Sequence, residues 1–303
     1  TAELSPGFLV RRVLPFRKKR AVGPFVFVDH FGPVDINESS HMDVGPHPHI
    51  GICTLTFLYN GAVYHRDSTG GSRPVVPGEV NWMVAGRGVV HSERGKEVMD
   101  LVPSDSAGRK ISHGLQCWVA LPKEKEDIEP SFHFTDKLFP IETGAVGVEA
   151  KLAIGSAWGV ASPLPIHHPM FFIDVQMEAG SSFTMPLEAG HEVAVYTSIG
   201  RVESGGECSL LDVGQCAVYG PKEGMETMPS CITVQALETS RIALVGGKPL
   251  SEPRHMFWNF VASEKSKIED AAEKWKALDR AKFPPVVEED NSDSIPLPGV
   301  NKS

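Results

Sequence analysis

No stretch of this sequence approaches the ~18 consecutive apolar residues that a membrane-crossing helix needs, so no such helix is expected. Positive charge is also short. The 29 Lys and Arg stand against 38 Asp and Glu, for a formal net charge of −9. Phosphate binding needs a surplus of Lys and Arg, so neither nucleic acid nor an anionic membrane is expected as a direct partner. The one basic run, "RRVLPFRKKR" from Arg11 to Arg20, reads as a solvated edge strand and turn. Cysteine is sparse and odd in number: Cys53, Cys117, Cys208, Cys216 and Cys231. That pattern argues against a disulfide framework and for reduced thiols in a cytoplasmic protein. No apolar run of the signal-peptide kind, ending in small residues, opens the sequence as given, which begins at Thr1 rather than at Met. No Gly-rich phosphate loop opens a helix, and no Ser/His/Asp arrangement can be argued from spacing.

Glycine (29) and proline (24) are spread throughout the 303 residues, and up to about residue 250 the apolar runs are short. "GPFVFVDHFG", "GICTLTFLYNGAVYH", "VNWMVAG", "GVVHSE" and "GLQCWVALP" each look like strands between turn residues, so the fold class is all-β. The second half repeats the texture. "LTFLYNGAV" lies over "VAVYTSIGRV", pairing Gly61 with Gly200. "PGEVNWMVAGRG" lies over "VGQCAVYGPKEG", pairing Gly78 with Gly214 and Gly88 with Gly224. Two copies of one β-fold follow, joined within Glu129 to Gly147. After Val261, Ile268, Ala271, Ala272, Trp275 and Leu278 recur at helical spacing, with Ser263 as a candidate N-cap. The acidic, Pro-rich tail is a loose or docked extension. The expected divisions are 1–138, 139–261 and 262–303.

The chemistry centres on "PHPHIGICTLTFLYNG", residues 46–61, which reads as a strand. Residues two apart in a strand share a face, which groups His47 with His49 and places Cys53 beside them. Alone, the pair leaves core or surface histidines and a metal site both open. Pro48 removes a ladder hydrogen bond, so this point should lie at a strand end or an edge. A second same-face pair, His91 and Glu93, sits in "AGRGVVHSERG". Three imidazoles and a carboxylate can hold one ion with coordination positions left open. Such N/O ligands suit Fe(II), Mn, Ni, Cu or Zn, and an open site of this kind favours non-haem Fe(II).

These two stretches resemble the two cupin motifs in the form used by the pirin family. "VDHFGP", "HGLQCWVALP", "GGKPLSEPRHMFWNFV" and the final "IPLPGV" are similar to pirins as well, so the resemblance runs from about Gly23 to Val300. It implies two tandem cupin barrels of jelly-roll type with a C-terminal helix. One metal, usually iron, would lie in the N-terminal barrel on His47, His49, His91 and Glu93. The general cupin pattern has a glutamate where Cys53 stands here; the carboxylate appears at Glu93 instead, as in pirins. Cys53 then reads as a small buried residue.

Laid over the second half, His47 and His49 fall on Pro186 and Glu188, and His91 and Glu93 on Thr227 and Pro229. No ligand position keeps its ligand, so the C-terminal barrel is expected to be metal-free. His30, His65 and Asp67 are candidates to line the cavity or orient a ligand, with a hydrogen-bonded structural role the simpler reading. Trp82 and Met83 read as core. Arg87 either holds its turn or faces an anionic substrate. His113, His167 and His168 have no partner spacing. The resemblance implies a quercetin 2,3-dioxygenase-type enzyme acting on a flavonol and O2, with Glu93 as the catalytic proton acceptor. It implies equally a metal- or redox-sensing regulatory protein that binds a protein partner without turnover. A solvent-open pocket with room for a three-ring compound would favour the enzyme.

Overall fold

The structure is a computed structural model and describes residues 2–5, 8–37, 42–205, 210–221 and 230–299, with backbone alone for 2–5 and 8. Cys208, Gly224, Thr227, Pro229 and Val300 lie outside the described residues.

The period-2 apolar patterning of the first half folds as short antiparallel strands. In chain order these are β1 (Ala2–Ser5), β2 (Phe8–Leu14), β3 (Phe25–Ile36), β4 (Asp43–His49), β5 (Ile52–Asn60), β6 (Val63–Asp67), β7 (Ser72–Val75), β8 (Val80–Val84), β9 (Val89–Arg94), β10 (Lys110–Ala120) and β11 (Ser131–Thr135). One seven-stranded sheet runs β1-β2-β3-β10-β5-β8-β11, and a four-stranded sheet runs β4-β9-β6-β7. Val10, Phe31 and Leu58 of the first sheet meet Val44, Val63 and Val75 of the second in one buried cluster. Two antiparallel sheets sharing a core in this way make a jelly-roll-type barrel.

The stretch 46–61 is two strands rather than one, so Cys53 does not share the face of His47 and His49, although it is a small buried residue as expected. β4 stops at His49, and the chain turns through Ile50 and Gly51 into β5 of the other sheet. Gly51 has φ +69, and a Cβ there would lie 2.0 Å from the Val261 carbonyl oxygen, so only glycine permits the turn. Same-face periodicity does not carry across such a turn. Cys53 is buried opposite Val84 and Val119, among core residues. Burial pushes its thiol pKa well up, which keeps it protonated and inert.

The second half supplies β12 (Phe139–Ile141), β13 (Val148–Ala157), β14 (Val160–Ala161), β15 (Met170–Met177), β16 (Ser182–Pro186), β17 (Glu192–Ile199), β18 (Val202–Ser204), β19 (Leu210–Leu211), β20 (Cys216–Tyr219), β21 (Cys231–Ala236) and β22 (Ser240–Gly247). Its larger sheet runs β12-β13-β15-β22-β17-β20, with β14 on β13, and its smaller one β16-β21-β18-β19. Ile173, Val195 and Leu244 pack with Phe183, Val202 and Ile232 in a second buried cluster. Pro186 ends β16, and Glu188 lies in the following turn against His191.

By contacts the chain forms two compact units. One is Thr1–Arg12, Phe27–Asp136 and Glu252–Ser303; the other is Val13–Val26 and Lys137–Ser251. The first therefore includes β23 (His255–Phe257), β24 (Phe260–Ala262) and the helix α1 (Lys265–Lys276). Ile268, Ala271 and Trp275 of α1 are buried against Ile50, Val90, Phe260 and Phe283. Burying side chains such as Ile268 and Trp275 contributes roughly 1.5–3 kcal/mol each. Two details of the expected helix differ. Ser263 is not its cap: its N–H and hydroxyl donate to the Glu126 carboxylate at 2.6 and 3.0 Å, and Glu264 stands at the N-cap without a side-chain bond. Leu278 lies beyond the helix at φ +54 and is exposed.

Candidate metal centre

β4 is the edge strand of its sheet, where a proline is tolerated, and it pairs with β9. His47 stands directly opposite His91. Between Val44, opposite Glu93, and His47 the ladder is bulged: Gly45 and Pro46 oppose Ser92 alone. On the other side of β9, β6 sets His65 opposite Glu93 and Asp67 opposite His91. Direct partners share a face, so pairing and period 2 bring His47, His49, His91 and Glu93 to one side of the sheet.

The three histidines form a tight group, with one ligand atom of each within 4.8 Å of the others. Their ring centroids are 4.2–5.1 Å apart. His49 Nε2 and His91 Nε2 are 3.1 Å apart, a separation that two ligands of one ion can adopt. His47 Nδ1–H donates to the Gly45 carbonyl at 2.8 Å, and His49 Nδ1–H to the Asn259 carbonyl at 3.1 Å. Those bonds fix the tautomers and leave each Nε2 lone pair for an ion. Burial holds His47 down to about 4, and holds His49 and His91 well below 6.5, so all three are neutral at pH 7. Neutral imidazole is the form that ligates.

Glu93 lines the same pocket, outside that tight group. It is 4% exposed, its Oε1 has no hydrogen-bond partner, and burial raises its carboxyl pKa, with His65 and the Thr56 hydroxyl pulling the other way. His91 Nδ1 is also buried without a partner. Buried polar atoms are nearly always satisfied. An orphaned carboxylate oxygen beside three converging neutral imidazoles fits a divalent cation.

The group opens on a cavity of about 320 Å³, lined by Phe27, Trp118, Trp258, Ile295, Gln116 and the Arg12–Asp29 pair among others. Trp118 stacks on Phe27 at 4.0 Å and meets the His49 ring edge-on at 5.0 Å. Arg12 donates through two nitrogens to Asp29, each at 2.8 Å, and lies over the Phe27 ring. The basic run is mostly exposed, but its strand β2 lies between β1 and β3 rather than at the sheet edge. Lys19 is committed too, to Glu192.

Of the other candidates, His65 binds Asp67 at 2.8 Å and stacks on Phe132, while Asp67 is filled by His65, Thr69 and Gly71. Neither holds a ligand histidine. His30 is outside the cavity lining and pairs with His113 at 2.7 Å, so His113 has a partner that its spacing did not show. Arg87 pairs with exposed Glu129. Trp82 and Met83 are core. The sequence reading missed Arg12, Phe27, Trp118, Trp258, Asn259 and Ile295. For the last three, the only signal was the family-like "MFWNFV" and "IPLPGV".

Residues 7–119 match the pirin family profile, and residues 172–281 match that of the pirin C-terminal cupin domain. A pirin-like protein of Caulobacter vibrioides is 42% identical over 96% of this chain and 94% of its own length. This chain belongs to the pirin family. Its two halves are the two cupin domains of a pirin. A Pseudomonas aeruginosa protein provisionally named quercetin 2,3-dioxygenase is 32% identical over 92% of this pirin and 82% of that protein. The crystal structure of a quercetin 2,3-dioxygenase from Acinetobacter baumannii superposes with a TM-score of 0.85 at 28% identity, covering all of this pirin and 94% of that chain.

Proposed function

We propose that this pirin is a metal-dependent dioxygenase that opens flavonols such as quercetin, with Fe(II) held by His47, His49, His91 and Glu93. The observation that carries the proposal is the group of three neutral histidines facing an aromatic-walled cavity, with one oxygen of the Glu93 carboxylate unpartnered beside it. The names of two similar proteins support the substrate class. When bound, the ion would supply Lewis-acid and redox chemistry, letting an ionised flavonol react with O2 and release carbon monoxide as the heterocycle opens.

The protein's own work is positioning and proton transfer. Trp118 and Trp258 offer apolar aromatic surface to a ligand, while Phe27 backs Trp118 and carries Arg12 on its other face. At about 320 Å³ the cavity is at the small end of ligand pockets, sized for one multi-ring molecule. Arg12 and Asp29 neutralise one another, so they add little net charge to it. Glu93 takes the proton of the flavonol 3-hydroxyl. Its carboxylate lines the cavity beside the three histidines, where a bound flavonol would lie.

The test is iron-loaded protein given quercetin and then other flavonols under O2, with carbon monoxide and ring-opened product measured. Stoichiometric carbon monoxide that is lost in Glu93→Ala is the expected result. No carbon monoxide from any flavonol with a full complement of metal refutes the enzyme and favours a metal-dependent binding protein.

A further inference from the structure

The tail beyond the helix is built rather than loose. Asn291 sets its shape: its Oδ1 accepts from Val286 N–H at 2.9 Å, and its Nδ2 donates to the Val286 and Glu289 carbonyls at 3.1 and 2.8 Å. Its own carbonyl accepts from the Ser294 hydroxyl at 2.6 Å. Trp275 Nε1 donates to the Ile295 carbonyl at 3.0 Å, which ties the tail to α1.

The ordered segment reaches both ligand strands at the residues that adjoin the ligands. On β9, Ser92 lies between His91 and Glu93 and points to the opposite side of the strand. Its hydroxyl donates to Glu289. Arg94, one residue past Glu93, donates to Glu289 at 2.7 Å and to Asp293 at 3.0 Å. Arg94 is 12% exposed and Glu289 8%, so these bonds are largely shielded from water.

On β4 the segment uses the bulge. Two backbone carbonyls there are released from the ladder. Gly45 O takes the Nδ1–H of His47, and Pro46 O takes the Ile295 N–H at 2.8 Å. A Cβ on Gly45 would stand 2.7 Å from the Asp293 carbonyl oxygen, so glycine lets the segment sit against the strand. Ile295 then lines the cavity that His47, His49, His91 and Glu93 share, packed against the buried cluster that contains Val44.

We propose that residues 286–297 are a working part of the metal pocket: Glu289 is a positioning residue that fixes β9 through Ser92 and Arg94, and Ile295 sets the size of aromatic molecule admitted. This rests on the reading of the histidine group as a metal centre. The carboxylate does not touch the ion. It acts as an outer support whose loss lets the His91–Glu93 strand shift.

The test uses full-length protein loaded with Co(II) under argon, because visible Co(II) absorption reports ligand geometry without turnover. Glu289→Gln, which keeps size and loses charge, is expected to alter the Co(II) bands and weaken Co(II) binding about 10- to 100-fold, the usual effect of losing an outer partner. Glu289→Asp restores the bands, which a merely structural loss would not do. In the second arm quercetin and single-ring catechol are titrated by tryptophan quenching. Ile295→Trp is expected to weaken quercetin about tenfold more than catechol, and Ile295→Ala to leave catechol within about twofold.

Wild-type-like Co(II) bands and affinity in Glu289→Gln overturn the positioning role. An unchanged quercetin-to-catechol ratio in Ile295→Trp, or no binding of either probe to wild type, overturns the size role. Wild-type protein that takes up no Co(II) overturns the metal reading and this proposal together. Wild type that loads normally while both variants match it overturns this proposal alone. Far-UV circular dichroism confirms that each variant is folded.

Discussion

Glu93→Gln should shift stability in opposite directions in the metal-free and metal-loaded protein. In the metal-free protein the carboxyl is buried, its Oε1 has no partner, and burial raises its pKa above the ordinary 4.5. A folded-state pKa above the unfolded one means that the native state binds the proton more tightly. Stability is then full below about pH 4.5 and is lost as pH rises through the folded value. The loss is about 1.4 kcal/mol for each pH unit by which burial lifts the group. Glutamine keeps the shape and removes that cost. Metal-free Glu93→Gln is therefore expected to be more stable than wild type at pH 7 and equal to it near pH 4. With metal bound the order reverses, because the ion loses an anionic partner in a buried site. Leaving a buried charge unpaired costs about 3 kcal/mol or more, on the order of 100-fold in affinity. Urea unfolding with EDTA between pH 4 and 7, with chelator competition for affinity, reads both halves. A metal-free variant less stable than wild type at pH 7 by more than about 1 kcal/mol would show instead a carboxylate satisfied by the protein itself.

Other consequences are simpler. Burial, then the neighbouring charge of His113, hold His30 down to about 3. The native state therefore resists a proton that the unfolded chain accepts below pH 6.5, and stability should fall with acid across pH 6.5 to 3 by up to about 1.4 kcal/mol per unit. His30→Gln should flatten that slope in pH-dependent urea titrations, and an unchanged slope would contradict the assignment. In the second unit, Arg241 donates through two nitrogens to Asp174, each at 2.7 Å, and the Asp174 side chain is 2% exposed. Burial already raises the Asp174 pKa, so Arg241→Met should cost about 3–5 kcal/mol at pH 7, and Arg241→Met with Asp174→Leu should recover most of it. A double variant as unstable as the single one would show that the pair is not the cause.

The all-β class, the two repeated halves and the HxH and HxE pairs were legible because side-chain period is a local property of strands. Cys53 is buried as expected, but its placement on the face of His47 and His49 fails, because periodicity holds only within one strand and Gly51 ends it. The Asn259 carbonyl that holds His49 is 210 residues away in sequence and belongs to the backbone, so no residue type announces it. His113 reads as a lone histidine until β10 folds beside β3 and sets it against His30. Ser263 fits the N-cap preference, but tertiary structure offers it the stronger acceptor at Glu126. Arg12 sits in a run that composition alone assigns to solvent, yet its partner Asp29 is buried in the cavity wall.

X-ray absorption at the metal edge of stoichiometrically loaded protein is the sharpest test of one ion held by His47, His49, His91 and Glu93. About one ion per chain is expected, with a nitrogen and oxygen shell at roughly 2.0–2.2 Å, three imidazoles in the outer scattering and no sulfur near 2.3 Å. A sulfur shell, which would bring back Cys53, or an ion without imidazole scattering would contradict it.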